Sequence, residues 1–73
     1  MGNKTGAPCK KYSNGDIYTG DLIADERNGE GIHLYTNKDR YEGSWFRGMR
    51  HGYGLMYYHS GEFYMGQWVY DVK

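Results

Sequence analysis

The chain repeats one pattern every 23 residues. Tyr18, Tyr41 and Tyr64 each open a copy in which a glycine follows two positions later. Self-similarity at a fixed period of about 20 to 50 residues is the signature of repeat architectures, in which every copy folds into the same small unit and buries apolar surface against its neighbour. The sequence therefore predicts a stack of copies.

Two of the copies are full and two are partial. In chain order the units span residues 10–17 (partial), 18–40, 41–63 and 64–73 (partial). Together they predict one repeat module over residues 9–73. Residues 1–8 are polar, glycine-rich and aperiodic, so we expect them to form a disordered leader.

Each copy carries two turn signals. The pair Asn14-Gly15 favours a two-residue type I′ hairpin turn, because both residue types tolerate a positive φ, and its counterparts are Asn37-Lys38 and Ser60-Gly61. A second, looser turn is expected at residues 25–28 and 47–51. No apolar rhythm of 3.6 residues has a useful length, which argues against helices.

These turns predict about six short strands. We place them near residues 9–13, 16–23, 30–36, 39–46, 53–58 and 62–69. Consecutive strands joined by hairpins pair in antiparallel order. The predicted fold is all-β, an elongated single antiparallel sheet of consecutive β-hairpins.

Glycine alternates with aromatic residues in these strands. Tyr41, Gly43 and Trp45 should point to one face, because successive side chains of a strand alternate. A glycine has no Cβ, so it leaves a depression in which a ring from the adjoining strand can lie flat. We expect a ring-rich groove on one face of the sheet and a partly exposed second face.

Composition excludes several functional classes. Nine acidic and nine basic side chains cancel, which argues against a general electrostatic grip on nucleic acid. Cys9 is the only cysteine, and His33, His51 and His59 show no metal-ligand spacing. No nucleophile motif or phosphate loop occurs, and no apolar run is long enough to span a bilayer. We expect an intracellular protein without catalytic activity, cofactor or metal.

The candidate binding residues are mostly aromatic. They are Tyr18, Tyr41, Trp45, Tyr58, Tyr64 and Trp68. Most such rings form a core, but a single sheet cannot cover both of its faces, so some of them should contact a protein partner. The final strand is expected to leave an open edge for sheet extension.

A basic cluster provides an alternative. Arg47, Arg50 and His51 share the looser turn of the second copy, where they could contact anionic phospholipid headgroups. The equivalent turn of the first copy contains Asp25 and Glu26, so the basic charge is not continued along the chain. A solvated turn is the competing interpretation.

The second copy resembles the MORN repeat. Its residues fit the pattern Tyr-x-Gly-x-Trp-x-x-Gly-x-x-x-Gly-x-Gly and a second glycine turn at every fixed position: Tyr41, Gly43, Trp45, Gly48, Gly52, Gly54 and Gly61. The first copy departs from the pattern at Leu22, Asp25 and Lys38. The resemblance implies an elongated sheet of hairpins without activity of its own.

The resemblance also implies a setting. MORN repeats serve as scaffolds in axonemal radial spokes, the cortical cytoskeleton and membrane junctions, or as accessory segments of lipid kinases and methyltransferases, and a lipid-binding role is often proposed. We therefore expect a protein-protein interaction scaffold in a cytoplasmic cytoskeletal or axonemal (cilium or flagellum) assembly, with a peripheral membrane adaptor as the alternative.

Overall fold

The computed structural model describes residues 8–73, which form one open antiparallel sheet whose strand order follows the chain. The strands are β1 (Cys9–Lys11), β2 (Ile17–Ile23), β3 (Glu26–Leu34), β4 (Arg40–Phe46), β5 (Met49–Tyr57) and β6 (Phe63–Trp68). The predicted fold class is confirmed. Of the predicted leader, residues 1–7 lie outside the described residues, and the carbonyl of Pro8 accepts a hydrogen bond from the Gly20 amide at 3.0 Å.

The turn after β1 is longer than predicted. Instead of a two-residue type I′ turn at Asn14-Gly15, a three-residue loop joins Tyr12 to Asp16, whose backbone groups bond at 3.0 Å. Gly15 alone has a positive φ, 102°, while the Asn14 side chain accepts the Asp16 amide proton. Three-residue hairpin loops of this kind place one residue in the left-handed region. In the first copy, residues 18–40, Lys38 occupies that position, with a φ of 79°.

The turns predicted to be loose are in fact tight. β2 and β3 are joined by Ala24 and Asp25 alone, both at positive φ, and β4 and β5 by Arg47 and Gly48. Positive φ at both central residues defines a type I′ turn. Ala24 and Arg47 are unusual there, so sequence gave no signal for the turn, and the predicted starts of β3 and β5 were four residues too late. Contacts between copies support the geometry, because the Gly48 amide donates to the Arg27 carbonyl at 2.8 Å.

A row of glycines crosses the sheet. Neighbouring strands from β2 to β6 are in register at Gly20, Gly31, Gly43, Gly54 and Gly66. The Tyr18 ring lies directly over Gly31 and the Tyr41 ring directly over Gly54, so a Cβ at either glycine would overlap the ring. The expected nesting of rings on glycines is confirmed at Gly31 and Gly54. At Gly43 no ring of the adjoining strand lies over the glycine, because a Cβ there would first meet the backbone of Gly54 and Tyr53.

The rings on this face form a continuous ladder. Tyr18, Trp45, Tyr41, Trp68 and Tyr64 contact one another in that order, with centroids 5.0 to 5.5 Å apart and planes near perpendicular. Edge-to-face pairs contribute about 0.5 to 1.5 kcal/mol each beyond their buried area. Aromatic contacts between copies therefore replace the aliphatic core of larger domains.

The hydroxyl group of each repeated tyrosine also bonds to the backbone of its own strand. Tyr18 Oη donates to the carbonyl of Asp21 at 2.7 Å, and Tyr41 Oη to that of Ser44 at 2.9 Å. Both carbonyls lie where the strand pairing shifts register at a bulge. Burial raises the pKa of both phenols to about 12, so the hydroxyl remains a donor.

Candidate functional site

The sheet has two unlike faces. We call the face that carries the ring ladder the aromatic face. The opposite face, which we call the outer face, exposes apolar side chains from β3, β5 and β6. They are Ile32, Leu34, Tyr53, Tyr57, Phe63 and Met65. The predicted combination of a ring-rich face and a partly exposed second face is present.

A groove of about 390 Å³ lies on the aromatic face and is lined by residues of the first, second and third copies. Its floor is apolar and its rim contains charges of both signs. We call it the aromatic groove, and its lining residues are Tyr35, Met56, Tyr58 and Trp68 on the floor and Asp39, Arg50, Asp71, Val72 and Lys73 on the rim. Small clefts of this kind, with an apolar floor and a few polar groups, are typical binding sites.

The predicted partner-binding rings divide into two sets. Tyr18 and Tyr41 are fully buried, and Trp45 and Trp68 expose 4% and 3% of their surface. These four form the core of the chain with Met56. Tyr58 and Tyr64 are only partly buried and pack against that core. A partner can therefore reach the edge of the ladder and the aromatic groove, but not Tyr18 or Tyr41.

Three cationic side chains, one from the equivalent position of each copy, lie over rings of the ladder. Arg27, Arg50 and Lys73 are spaced by 23 residues. The guanidinium groups of Arg27 and Arg50 lie 4.6 Å from the ring centres of Trp45 and Trp68. Lys73 Nζ lies 5.4 Å from the ring centre of Tyr64. Sequence analysis missed this series, although the 23-residue period itself carried the signal.

Each arginine also bonds to the turn of the next copy. Arg27 Nη2 donates to the Gly48 carbonyl at 2.6 Å, and Arg50 Nε donates to the Asp71 carboxylate at 2.9 Å. For Asp71, burial opposes ionisation, but the hydrogen bonds from Arg50 outweigh it and lower the pKa of the carboxyl group. The arginines therefore join successive copies and close one side of the aromatic face.

The predicted basic cluster is divided between different environments. Arg50 lies in the aromatic groove and is paired with Asp71, as described above. His51 is partly buried, and its Nδ1 accepts the Tyr70 amide proton at 3.1 Å. Arg47 alone is exposed, with its guanidinium 5.2 Å from the Phe46 ring centre. These three residues do not form one basic surface.

A buried polar chain joins the partial unit 10–17 to the first copy. Arg27 can only donate, so Nδ1 of His33 accepts from it at 3.2 Å, and Nε2 of His33 then donates to Asp16 at 3.0 Å. Burial lowers the pKa of His33, and the Arg27 charge adds to this against the opposing bond to Asp16. Burial opposes ionisation of Asp16, but bonds from His33, Thr36 and Asn14 outweigh it and lower the pKa.

We predict that the free energy of unfolding falls as the pH is lowered below about 6.5, the pKa of a histidine in an unfolded chain. The unfolded chain then binds a proton that folded His33 resists, which favours unfolding. The lowered pKa of Asp16 adds a further loss only below about pH 4. The measurement is urea unfolding at pH 7.5, 6.5 and 5.5.

His33→Gln should flatten this dependence, because the amide can donate to Asp16 and accept from Arg27 without titrating. His59→Gln, which changes an exposed loop histidine, is the matched control and should keep the parent's slope. An unchanged slope in His33→Gln would assign the pH dependence to other groups.

A comparison with models of known protein families divides the chain into the same repeats. The model of the MORN repeat family matches residues 18–40, 41–63 and 64–73, the boundaries of three of the predicted copies. The chain belongs to the MORN repeat family. MORN repeats are generally involved in protein or membrane-lipid interactions and are binding repeats, not enzymes. No curated protein matches the chain.

The described residues contain no helix that is long and apolar enough to cross a bilayer.

Proposed function

We propose that this chain is a non-enzymatic scaffold module that binds a segment of another protein in the aromatic groove. The observation that carries the proposal is the apolar floor of the groove, where the partly exposed rings of Tyr35 and Tyr58 lie beside the buried side chains of Met56 and Trp68. Tyrosine and tryptophan are the side chains most often responsible for binding energy at protein interfaces. The bound segment is expected to be extended or helical and to insert an apolar side chain between the rings.

The rim of the groove favours a protein over an anionic membrane. Asp39 and Asp71 oppose Arg50 and Lys73, so the rim carries balanced charge. Arg50 is already neutralised by Asp71 at 2.9 Å. A surface that binds anionic lipid needs several unpaired cations close together. A peptide with charges of both signs around an apolar residue matches this rim better than a lipid headgroup does.

The proposed setting is a cytoplasmic cytoskeletal or axonemal assembly, of the radial-spoke type. The family resemblance supports it, and the stacked hairpins provide an extended surface suited to a structural component. Proximity labelling with the tagged full chain in ciliated cells should recover axonemal or cortical cytoskeletal proteins. If neither group of proteins is recovered, the proposed setting is wrong. The groove is tested separately, by the variants below.

We predict that Tyr35→Ser combined with Tyr58→Ser lowers capture of the labelled partner by at least about tenfold, because each lost ring removes part of the apolar floor. Both rings are partly exposed, so the double variant should retain its β-sheet circular dichroism. Tyr53→Ser is the control, because Tyr53 is 62% exposed on the outer face. Full binding by a folded double variant would reject the groove.

Vesicle flotation tests the alternative function of a peripheral membrane adaptor. Vesicles of phosphatidylcholine with phosphatidylserine should leave the chain unbound at physiological salt under the present proposal. Flotation that is lost at high salt and in Arg47→Ser would instead support lipid binding through the exposed turn, because salt screens such contacts.

A further inference from the structure

The outer face carries two parallel rows of side chains, set by the register of all six strands. The first row is Lys11, Ile17, Leu34, Arg40, Tyr57 and Phe63. The second row is Cys9, Thr19, Ile32, Glu42, Leu55 and Met65. Both rows are mainly apolar from β3 to β6, and each is interrupted on β4 by one charged residue.

The two charges on β4 form an exposed ion pair in which Arg40 is incompletely satisfied. Arg40 Nε lies 3.0 Å from Glu42 Oε2, yet this buried nitrogen makes no hydrogen bond. The side chains remain 43% and 36% exposed among apolar neighbours. Arg40 also lies over the Tyr57 ring, 4.4 Å from its centre. An apolar surface with an opposite pair of charges at its middle is complementary to a copy of itself in the reverse direction.

We propose that the outer face is a homodimer interface, in which two copies pack face to face with their strands antiparallel. A twofold axis across the strands at the level of Tyr41 exchanges the two rows. Arg40 then lies over the partner's Glu42, and Leu34 over the partner's Ile32. At the far end Phe63 lies over the partner's Met65.

Charge favours this antiparallel orientation over the parallel one. A twofold axis along β4 would place Arg40 over the partner's Arg40, and like charges opposed in an interface are strongly unfavourable. The antiparallel orientation instead brings opposite charges together on β4 and sets apolar side chains opposite apolar ones on β3, β5 and β6. Both copies then use one self-complementary patch, as twofold dimers require.

Face-to-face packing would also cover apolar surface that a single copy leaves exposed. Leu34, Phe63 and Met65 expose 44%, 62% and 65% of their surface. Two sheets stacked about 10 Å apart would form a β-sandwich and would cover the exposed apolar side chains of both copies. The aromatic face of each copy would point away from the dimer interface, so both aromatic grooves would remain open.

Charge reversal on the full chain tests the dimer and its orientation together. Analytical ultracentrifugation should find a dimer for the parent chain. Glu42→Arg should raise the dissociation constant at least about tenfold, because it sets an arginine against the partner's Arg40 at both symmetry-related positions. The exchanged variant Arg40→Glu with Glu42→Arg should restore dimerisation to within about threefold, because both pairs reform with opposite sign.

Circular dichroism separates lost association from lost folding in each variant. A monomeric parent chain would overturn the proposal, and so would a folded Glu42→Arg variant that dimerises like the parent. Failure of the exchanged variant to recover would overturn the antiparallel orientation. Association that is lost in Tyr35→Ser with Tyr58→Ser but kept in Glu42→Arg would place the contact on the aromatic face and also contradict the proposal.

Discussion

Gly54→Ala is expected to lower the free energy of unfolding by about 3 kcal/mol or more, because the new methyl group would occupy the space of the Tyr41 ring. Tyr41 is fully buried, with its ring centre 5.0 Å from that of Trp45 and 5.4 Å from that of Trp68. It has no space into which to move. A displaced ring would also leave the Ser44 carbonyl without its hydrogen bond.

Gly66→Ala is the matched control for this prediction. Gly66 has the same place in the glycine row, but the nearest atom to an added Cβ is Tyr64 Oη at 2.8 Å, and Tyr64 is only partly buried on the edge strand. That ring can shift, so we expect a cost of about 1 kcal/mol. Urea unfolding followed by tryptophan fluorescence measures both variants. Equal costs would mean that ring nesting does not set the requirement for glycine.

Trp45→Ala should destabilise the chain by about 3 to 5 kcal/mol, the usual cost of removing a large buried ring. Trp45 contacts Tyr18 and Tyr41 edge to face and supports the stacked guanidinium of Arg27. Its Nε1 donates to the Gly31 carbonyl at 3.2 Å. Thermal unfolding followed by far-ultraviolet circular dichroism should show a large fall in the midpoint temperature.

Two further variants make the tryptophan result specific. Trp45→Leu installs the residue that the first copy carries at the equivalent position, Leu22, and should cost less because much of the apolar volume is kept. Phe46→Ala removes the neighbouring ring, which is 38% exposed on the outer face, and should cost less than about 1 kcal/mol. A similar loss in all three variants would contradict a core built on the ladder.

The alternation of glycine and rings made the strand faces predictable. In a strand the side chain at each position is committed to one face, so Tyr41, Gly43 and Trp45 had to share a surface wherever the strands paired. The need for glycine beneath the rings followed from volume alone. For the candidate site, the sequence predicted which rings belong to it but not which of them a partner can reach. The burial of each ring depends on the side chains that the neighbouring copies place over it.

Turn geometry was not accessible from the sequence. Ala24 and Arg47 adopt positive φ, which their residue types disfavour. At the Arg47-Gly48 turn a hydrogen bond between copies, from the Gly48 amide to the Arg27 carbonyl, stabilises this geometry. Local residue preferences predicted a two-residue turn at Asn14-Gly15. The structure has a three-residue loop there, so this prediction was wrong. Contacts between residues about 20 positions apart outweighed local preference.

The sequence by itself determined the period, the all-β class, the antiparallel order and the pairing of rings with glycines, because each follows from local spacing and side-chain volume. Only the tertiary structure decided which rings are covered, where Arg27 and Arg50 stack and which charges remain available on the surface. Those outcomes depend on register between copies. A shift of one residue in that register would exchange the aromatic and outer faces of a strand, and with them its core and its binding surface.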